Sequence, residues 1–175
     1  MNIICNKSSL LKSVGTVIRA VSQKTTLPIL QCILLKAEGQ EFSLTGNDLE
    51  LGVHCSSEAV VKKEGCVAVN AKIFSEIIRR LPEEEVSIDA DEQDNITILC
   101  GKSKFNIPGQ KGEDFPALPE VESENQMVLP QNEFRQMIQK TIFSIAQEDS
   151  GRPVLTGELI DVRDGFLYLV AVDGF

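Results

Sequence analysis

The 175 residues are 42% hydrophobic and 25% charged, a composition that suits one ordinary globular core and the start of another and excludes a disordered chain. No apolar run approaches the roughly 18 residues of a membrane span, and the start, with Lys7 and Lys12 but no apolar stretch or small-residue cleavage site, reads as no signal peptide, so a cytoplasmic location is expected. The net charge of −9 argues against nucleic acid until its distribution is considered.

Residues 2–5 alternate weakly and read as a short first strand, after which residues 6–9 offer helix N-cap candidates. Leu10, Leu11, Val14, Val17, Ile18 and Val21 recur at three- and four-residue spacing, which predicts an amphipathic helix that Pro28 cannot continue. Strand-like runs follow at 29–36, 41–45 and 49–56, with turns at Gly39 and at Gly46-Asn47-Asp48. A strand over 59–69, broken near Gly65, leads to a helix over 71–81 with Ile73, Phe74, Ile77, Ile78 and Leu81 as its apolar stripe and Pro82 as its stop. Strands at 85–88, 96–100 and 104–107 complete a second β-α-β-β-β unit. Residues 108–125 are acidic and rich in Pro and Gly and read as a connector. A short strand at 127–129, a helix over 131–146 and strands at 155–162 and 166–172 begin a third unit.

A larger repeat contains these units. Residues 27–48 are echoed 125 positions on by residues 152–173, with Pro28 on Pro153, Leu34 on Leu159, Leu35 on Ile160, Phe42 on Leu167, Leu44 on Leu169 and Asp48 on Asp173. The preceding helix matches with a shift of 124, placing Leu10 on Phe134 and Val14 on Ile138. The expected fold class is α+β, with β-α-β-β-β repeats and two helices per domain on one face of an antiparallel sheet. A first domain is expected at residues 1–120 and the opening half of a second at 121–175.

The predicted helices concentrate positive charge. Residues 7–20 carry +3, residues 71–81 carry +2 and residues 131–146 carry +1, which leaves −15 for the rest. Helix faces often carry Lys and Arg for solubility alone. The sharper reading is that these helices face a polyanion which the remaining surface repels.

Other chemistries find little support. Five cysteines (Cys5, Cys32, Cys55, Cys66, Cys100), odd in number and without a C-x-x-C pair, read as reduced residues packed in strands, not as disulfides or a zinc site. His54 stands alone in a probable strand. The acidic run 89–95 lacks the glycine and the final bidentate acid of a calcium loop and reads as a hairpin turn. Glu83-Glu84-Glu85 reads as a solvated turn. No phosphate-binding glycine loop or nucleophile elbow occurs, so no metal, cofactor or catalytic residue is expected, nor a deep pocket joining two carboxylates or a cysteine to His54.

Thr26-Leu27-Pro28-Ile29-Leu30, Ser43-Leu44-Thr45-Gly46-Asn47-Asp48-Leu49-Glu50, Gly101-Lys102-Ser103-Lys104-Phe105, Asp114-Phe115-Pro116 and Arg152-Pro153-Val154-Leu155-Thr156-Gly157 together resemble the bacterial DNA polymerase III β subunit, the sliding clamp, along the whole chain. The resemblance implies the DNA-clamp fold, in which three domains per chain and two chains form a ring around duplex DNA. It implies a non-catalytic processivity factor that tethers the polymerase. By position it implies DNA contacts at Lys24, Lys72 and Arg152. Lys12, Arg19, Arg79, Arg80, Arg135 and Lys140 join them as helix-borne candidates. Pro153 and Val154 stand where aromatic residues can occur in the family, which disfavours base stacking there.

The resemblance also implies a groove for short peptides of the DNA polymerase III α subunit, the clamp loader and other replication proteins. Leu155, Val172, Gly174 and Phe175 match one wall, with Val172 and Phe175 in place of a threonine and a histidine often found there. A head-to-tail homodimer interface is implied at Ile77, Leu81 and Phe105, with Lys102 and Lys104 to meet acids. The chain then reads as an N-terminal fragment, unable to close a ring alone and able to self-associate through its unfinished half. The alternative is an interaction scaffold that does not use nucleic acid.

Overall fold

The computed structural model describes residues 1–22, 25–119, 126–147 and 151–174. The chain divides into two compact units, Met1–Glu120 and Val121–Phe175.

In the first unit, strand β1 (Asn2–Asn6) leads into helix α1 (Lys7–Val17), whose first turn is capped by Asn6: its side-chain oxygen accepts from the Ser8 amide at 2.8 Å. Leu10, Ser13, Val14 and Val17 are its buried face. The helix ends four residues before Val21, tightening into a single 3₁₀ turn at Ile18–Ala20. A second 3₁₀ turn, Pro28–Gln31, replaces the expected start of the next strand, because Pro28 has the fixed φ that suits the first position of a turn. Strands β2 (Cys32–Glu38), β3 (Glu41–Asn47) and β4 (Gly52–Ser57) form an antiparallel meander.

The single strand expected over 59–69 is two strands with different partners: β5 (Ala59–Lys63) pairs with β1, and β6 (Gly65–Asn70) pairs with β2. The break falls at Gly65, where φ is +146°. Asn70 then caps helix α2 (Ala71–Arg80), accepting from the Ile73 amide at 3.1 Å. Strands β7 (Glu85–Ala90), β8 (Asn95–Cys100) and β9 (Ser103–Lys111) form the second meander.

The nine strands run in the order β4-β3-β2-β6-β9-β8-β7-β1-β5. Each opening strand is therefore lent to the other half: β1 lies against β7, and β6 lies against β2. Strand β9 extends into what reads as connector from sequence. It leaves β8 at Pro108, which has no N–H for the ladder, and joins β6 at Gly109, where a Cβ would meet the Asp94 carbonyl at 2.5 Å.

One apolar core collects alternate residues from both meanders and the inner faces of both helices, with Ile3, Leu10, Leu35, Phe42, Phe74 and Ile98 fully buried. A smaller cluster on the other face of the sheet joins Cys32 and Ala68 to Phe115, which follows a 3₁₀ turn at Gly112–Asp114. The glycine-containing motif at 46–48 is mainly strand, not turn. A Cβ on Gly46 would overlap the Val17 carbonyl oxygen, so glycine lets α1 reach the sheet. Buried Asn47 accepts from the Leu49 amide at 2.8 Å and donates to the Pro116 carbonyl at 3.3 Å, tying this motif to Asp114-Phe115-Pro116. All five cysteines lie in strands and are free thiols.

The second unit holds helix α3 (Gln131–Thr141), a 3₁₀ turn at Ile142–Ser144, another at Pro153–Thr156, and the hairpin of β10 (Leu159–Arg163) and β11 (Phe166–Val170). The internal repeat is visible in its bonding: the Ala146 amide donates to the Leu155 carbonyl at 2.8 Å, as the Ser22 amide donates to that of Leu30 at 3.2 Å. The strand expected at 127–129 is absent. Its counterpart β1 is held by β5 and β7, and nothing among the described residues of the second unit takes those places. Strand β10 begins at Leu159 and not at 155, since residues 153–156 follow the turn geometry of Pro28–Gln31, and β11 ends at Val170, short of 172.

Candidate functional site

Helices α1 and α2 pack against each other and bury one face each, so their other faces look away from the core. Lys12, Arg19, Lys72, Arg79 and Arg80 are all exposed on that side of the two elements. Lys72 and Arg79 are seven residues apart, which places them on one stripe of α2 about 10.5 Å apart along the axis. They line a cleft of about 480 Å³ together with the acid Glu76 and with Ile18, Val21, Gln31, Asn70 and Ser75. Asn70, Gln31 and Ser75 escaped the sequence reading, because only the folded chain brings the turn after α1 beside the start of α2.

Among the described residues, none of these five cations makes an ion pair. The ion pairs found there are Lys7 with Glu83 at 3.0 Å, Lys36 with Glu38 at 2.6 Å and Arg163 with Asp161 at 3.4 Å. Lys7, counted from sequence among the helix charges, is thus turned to a structural task, holding the start of α1 to the turn after α2. Lys72 stands in the first turn of α2, where the helix dipole disfavours a cation. Its placement adds nothing to helix stability and is suited to an approaching anion.

The remaining positions divide. Lys24 and Phe175 lie outside the described residues. Arg135 and Lys140 are exposed on α3. Leu155 is half-buried and Val172 is 50% exposed. Gly174 has φ +86°, and a Cβ there would stand 3.0 Å from Leu155 and 3.6 Å from the Arg152 guanidinium, so these three come together. On the first unit, Lys102 and Lys104 are exposed and Phe105 is 37% exposed. Leu81 is 5% exposed and belongs to the core, and Ile77 packs against that core, so Phe105 is the apolar side chain of this group most available to a partner.

His54 shares a hydrogen bond of 3.0 Å with Thr45. Glu38 and Glu41 line a small open depression together with His54, Lys36 and Ser43. Both are engaged, Glu38 by Lys36 and Glu41 by the Ser56 hydroxyl. The Asp91 carboxylate accepts from the backbone amides of Asn95 and Gln93, which makes the 89–95 run a hairpin turn. No group of three or more metal-ligating side chains occurs among the described residues, and no helix there is long and apolar enough to cross a membrane.

The model of the DNA polymerase III beta subunit, N-terminal domain, matches residues 1–119. This chain belongs to that family. The beta sliding clamp of Halalkalibacterium halodurans is 33% identical over 99% of the chain and 47% of the relative. A DNA polymerase III beta subunit from Eubacterium rectale superposes with TM-score 0.92 at 42% identity, again over 99% of this chain and 47% of that one. The DNA polymerase sliding clamp from Bacillus subtilis superposes with TM-score 0.91 at 30% identity, over 99% and 47%. The chain spans about half the length of the curated relatives it matches. Its α+β fold is that of a clamp domain.

Proposed function

We propose that the first unit is one complete clamp domain and the second the opening half of another, and that α1 and α2 line the bore of a ring that encircles duplex DNA. The observation that carries this reading is the set of five exposed cations on α1, the 3₁₀ turn that follows it and α2, without ion pairs among the described residues, in a chain of net charge −9. Phosphates would bind such a face with counterion release and without regard to sequence, which is what a sliding tether requires. The acidic remainder discourages DNA from binding elsewhere.

Lys24, Arg152, Arg135 and Lys140 extend the DNA contact. Leu155, Val172, Gly174 and Phe175 form one wall of a groove for peptides of the polymerase α subunit and the clamp loader. Ile77, Leu81, Lys102, Lys104 and Phe105 belong to the homodimer interface of the ring, with Phe105 as its apolar centre. The protein acts in the cytoplasm, on the chromosome, as a processivity factor.

The test is duplex binding at low salt, read by fluorescence anisotropy. The chain binds unrelated duplexes equally and releases them as salt rises, and Lys24→Glu with Lys72→Glu abolishes binding. Unchanged binding in that double variant would leave a scaffold indifferent to nucleic acid as the better reading.

A further inference from the structure

The cleft beside the start of α2 holds more than its two cations. Its floor is apolar, formed by the half-buried Ile18 and Val21 that follow α1. Gln31, Ser75 and Glu76 stand around that floor, also half-buried, and make no side-chain hydrogen bond or ion pair among the described residues. Asn70 gives its side-chain oxygen to the Ile73 amide and keeps its NH₂ group to donate. Lys72, Glu76 and Arg79 follow one another at spacings of four and three, so one stripe of α2 sets a carboxylate between two cations. All of these residues belong to the first unit.

A duplex satisfies only part of this arrangement. Its phosphates suit Lys72 and Arg79, but Glu76 repels them and the apolar floor gains nothing from them. A nucleobase answers both. Its ring face covers Ile18 and Val21, and the Watson–Crick edge of every base carries an N–H for Glu76 to accept. That edge is engaged in paired DNA and open only in an unpaired nucleotide. The cleft, about 480 Å³, falls within the range of about 300 to 1,000 Å³ common to sites for small molecules. We propose that it takes one unpaired nucleotide of a DNA strand. The base lies on Ile18 and Val21 with its edge donating to Glu76, and the flanking phosphates reach Lys72 and Arg79, about 10.5 Å apart along the axis. Because all four bases offer such a donor, the site reads strandedness and not sequence, and the protein pauses where duplex gives way to single strand. The inference rests on the DNA-facing reading of α1 and α2.

Fluorescence anisotropy of the 175-residue chain at low salt tests it with a blunt duplex and two tailed duplexes, one tail of deoxycytidines and the other of abasic residues with the same phosphates. The deoxycytidine tail binds on the order of tenfold more tightly than the abasic one, the worth of about one hydrogen bond to a charged group. Ser75→Phe fills the cleft and abolishes the difference, while the blunt duplex binds as before through Lys72 and Arg79. Glu76→Ala also reduces the difference yet tightens blunt-duplex binding, a pair of opposite changes that misfolding does not produce. Equal binding of the two tails, or a preference that survives both substitutions, overturns the proposal; blunt-duplex binding that persists in that case leaves the DNA-facing reading intact. Displacement of the tail by micromolar deoxycytidine monophosphate would assign the cleft to a soluble nucleotide and overturn it equally. A chain that binds none of the three duplexes removes the DNA-facing reading and this inference with it.

Discussion

Phe74 and Phe134 occupy matching places on α2 and α3, yet their surroundings differ, and the difference is measurable. Phe74 is 0% exposed at the centre of the first unit's core, whereas Phe134 is only partly covered on a helix that buries nothing fully. Phe74→Ala removes a buried ring and leaves a cavity, at a cost of about 3–5 kcal/mol. With a urea dependence of about 2 kcal/mol per molar, the midpoint of the main transition falls by roughly 2 M. A first unit of this size, stable by about 6–18 kcal/mol, survives that loss in most of the range. Phe134→Ala has no such cavity to create and leaves the main transition where it was. Urea titrations followed by circular dichroism and by hydrogen exchange of the β2 and β7 amides read both variants. Equal shifts for the two would refute the assignment of one closed core to the first unit.

Three further outcomes follow from individual contacts. Gly46→Ala drives a methyl group into the Val17 carbonyl and the Val21 side chain, so it destabilises by about 1–3 kcal/mol in the same titration, whereas Gly15→Ala, with open space around it, does not. Thiol labelling at pH 8 reaches Cys55 and Cys66 before Cys5, Cys32 and Cys100. Those three are buried, and burial with Cys100 nearby pushes the Cys5 thiol up to about 12. The Asp91 carboxyl is held below its ordinary value, first by the backbone amide of Asn95 and then by the Asn95 side chain and the Gln93 amide. Its contribution is complete above the unfolded value and disappears as pH falls through the lower folded one, so Asp91→Ala flattens the acid limb of the stability profile below about pH 4.

Much of the fold is written in local pattern. Helices α1 and α2 declare themselves through apolar spacing, α1 also through its cap at Asn6, and the proline and glycine signals place most turns. What escaped sequence reading depends on distant partners. Pro108-Gly109 reads as a break, but the strand passes through it because those residues mark a change of neighbour from β8 to β6. Residues 127–129 have a strand's letters but pair with no strand among the described residues. The helix charges were legible as letters, whereas the pairing of Lys7 with Glu83, across 76 positions, was not, and it is pairing that separates a structural lysine from one left open to phosphate.

The bore-lining role of α1 and α2 stands or falls on the salt dependence of duplex binding. If Lys12, Arg19, Lys72, Arg79 and Arg80 each meet a phosphate, log K falls with log salt at a slope of about −4.5, or roughly 500-fold between about 50 and 200 mM. Lys72→Gln with Arg79→Gln lowers the slope to about −2.7, or roughly 40-fold over the same range. Lys102→Gln with Lys104→Gln, in the turn after β8 and at the start of β9, leaves it unchanged. A slope untouched by the α2 pair, or lowered equally by the β8–β9 pair, would contradict a DNA-facing role for these helices.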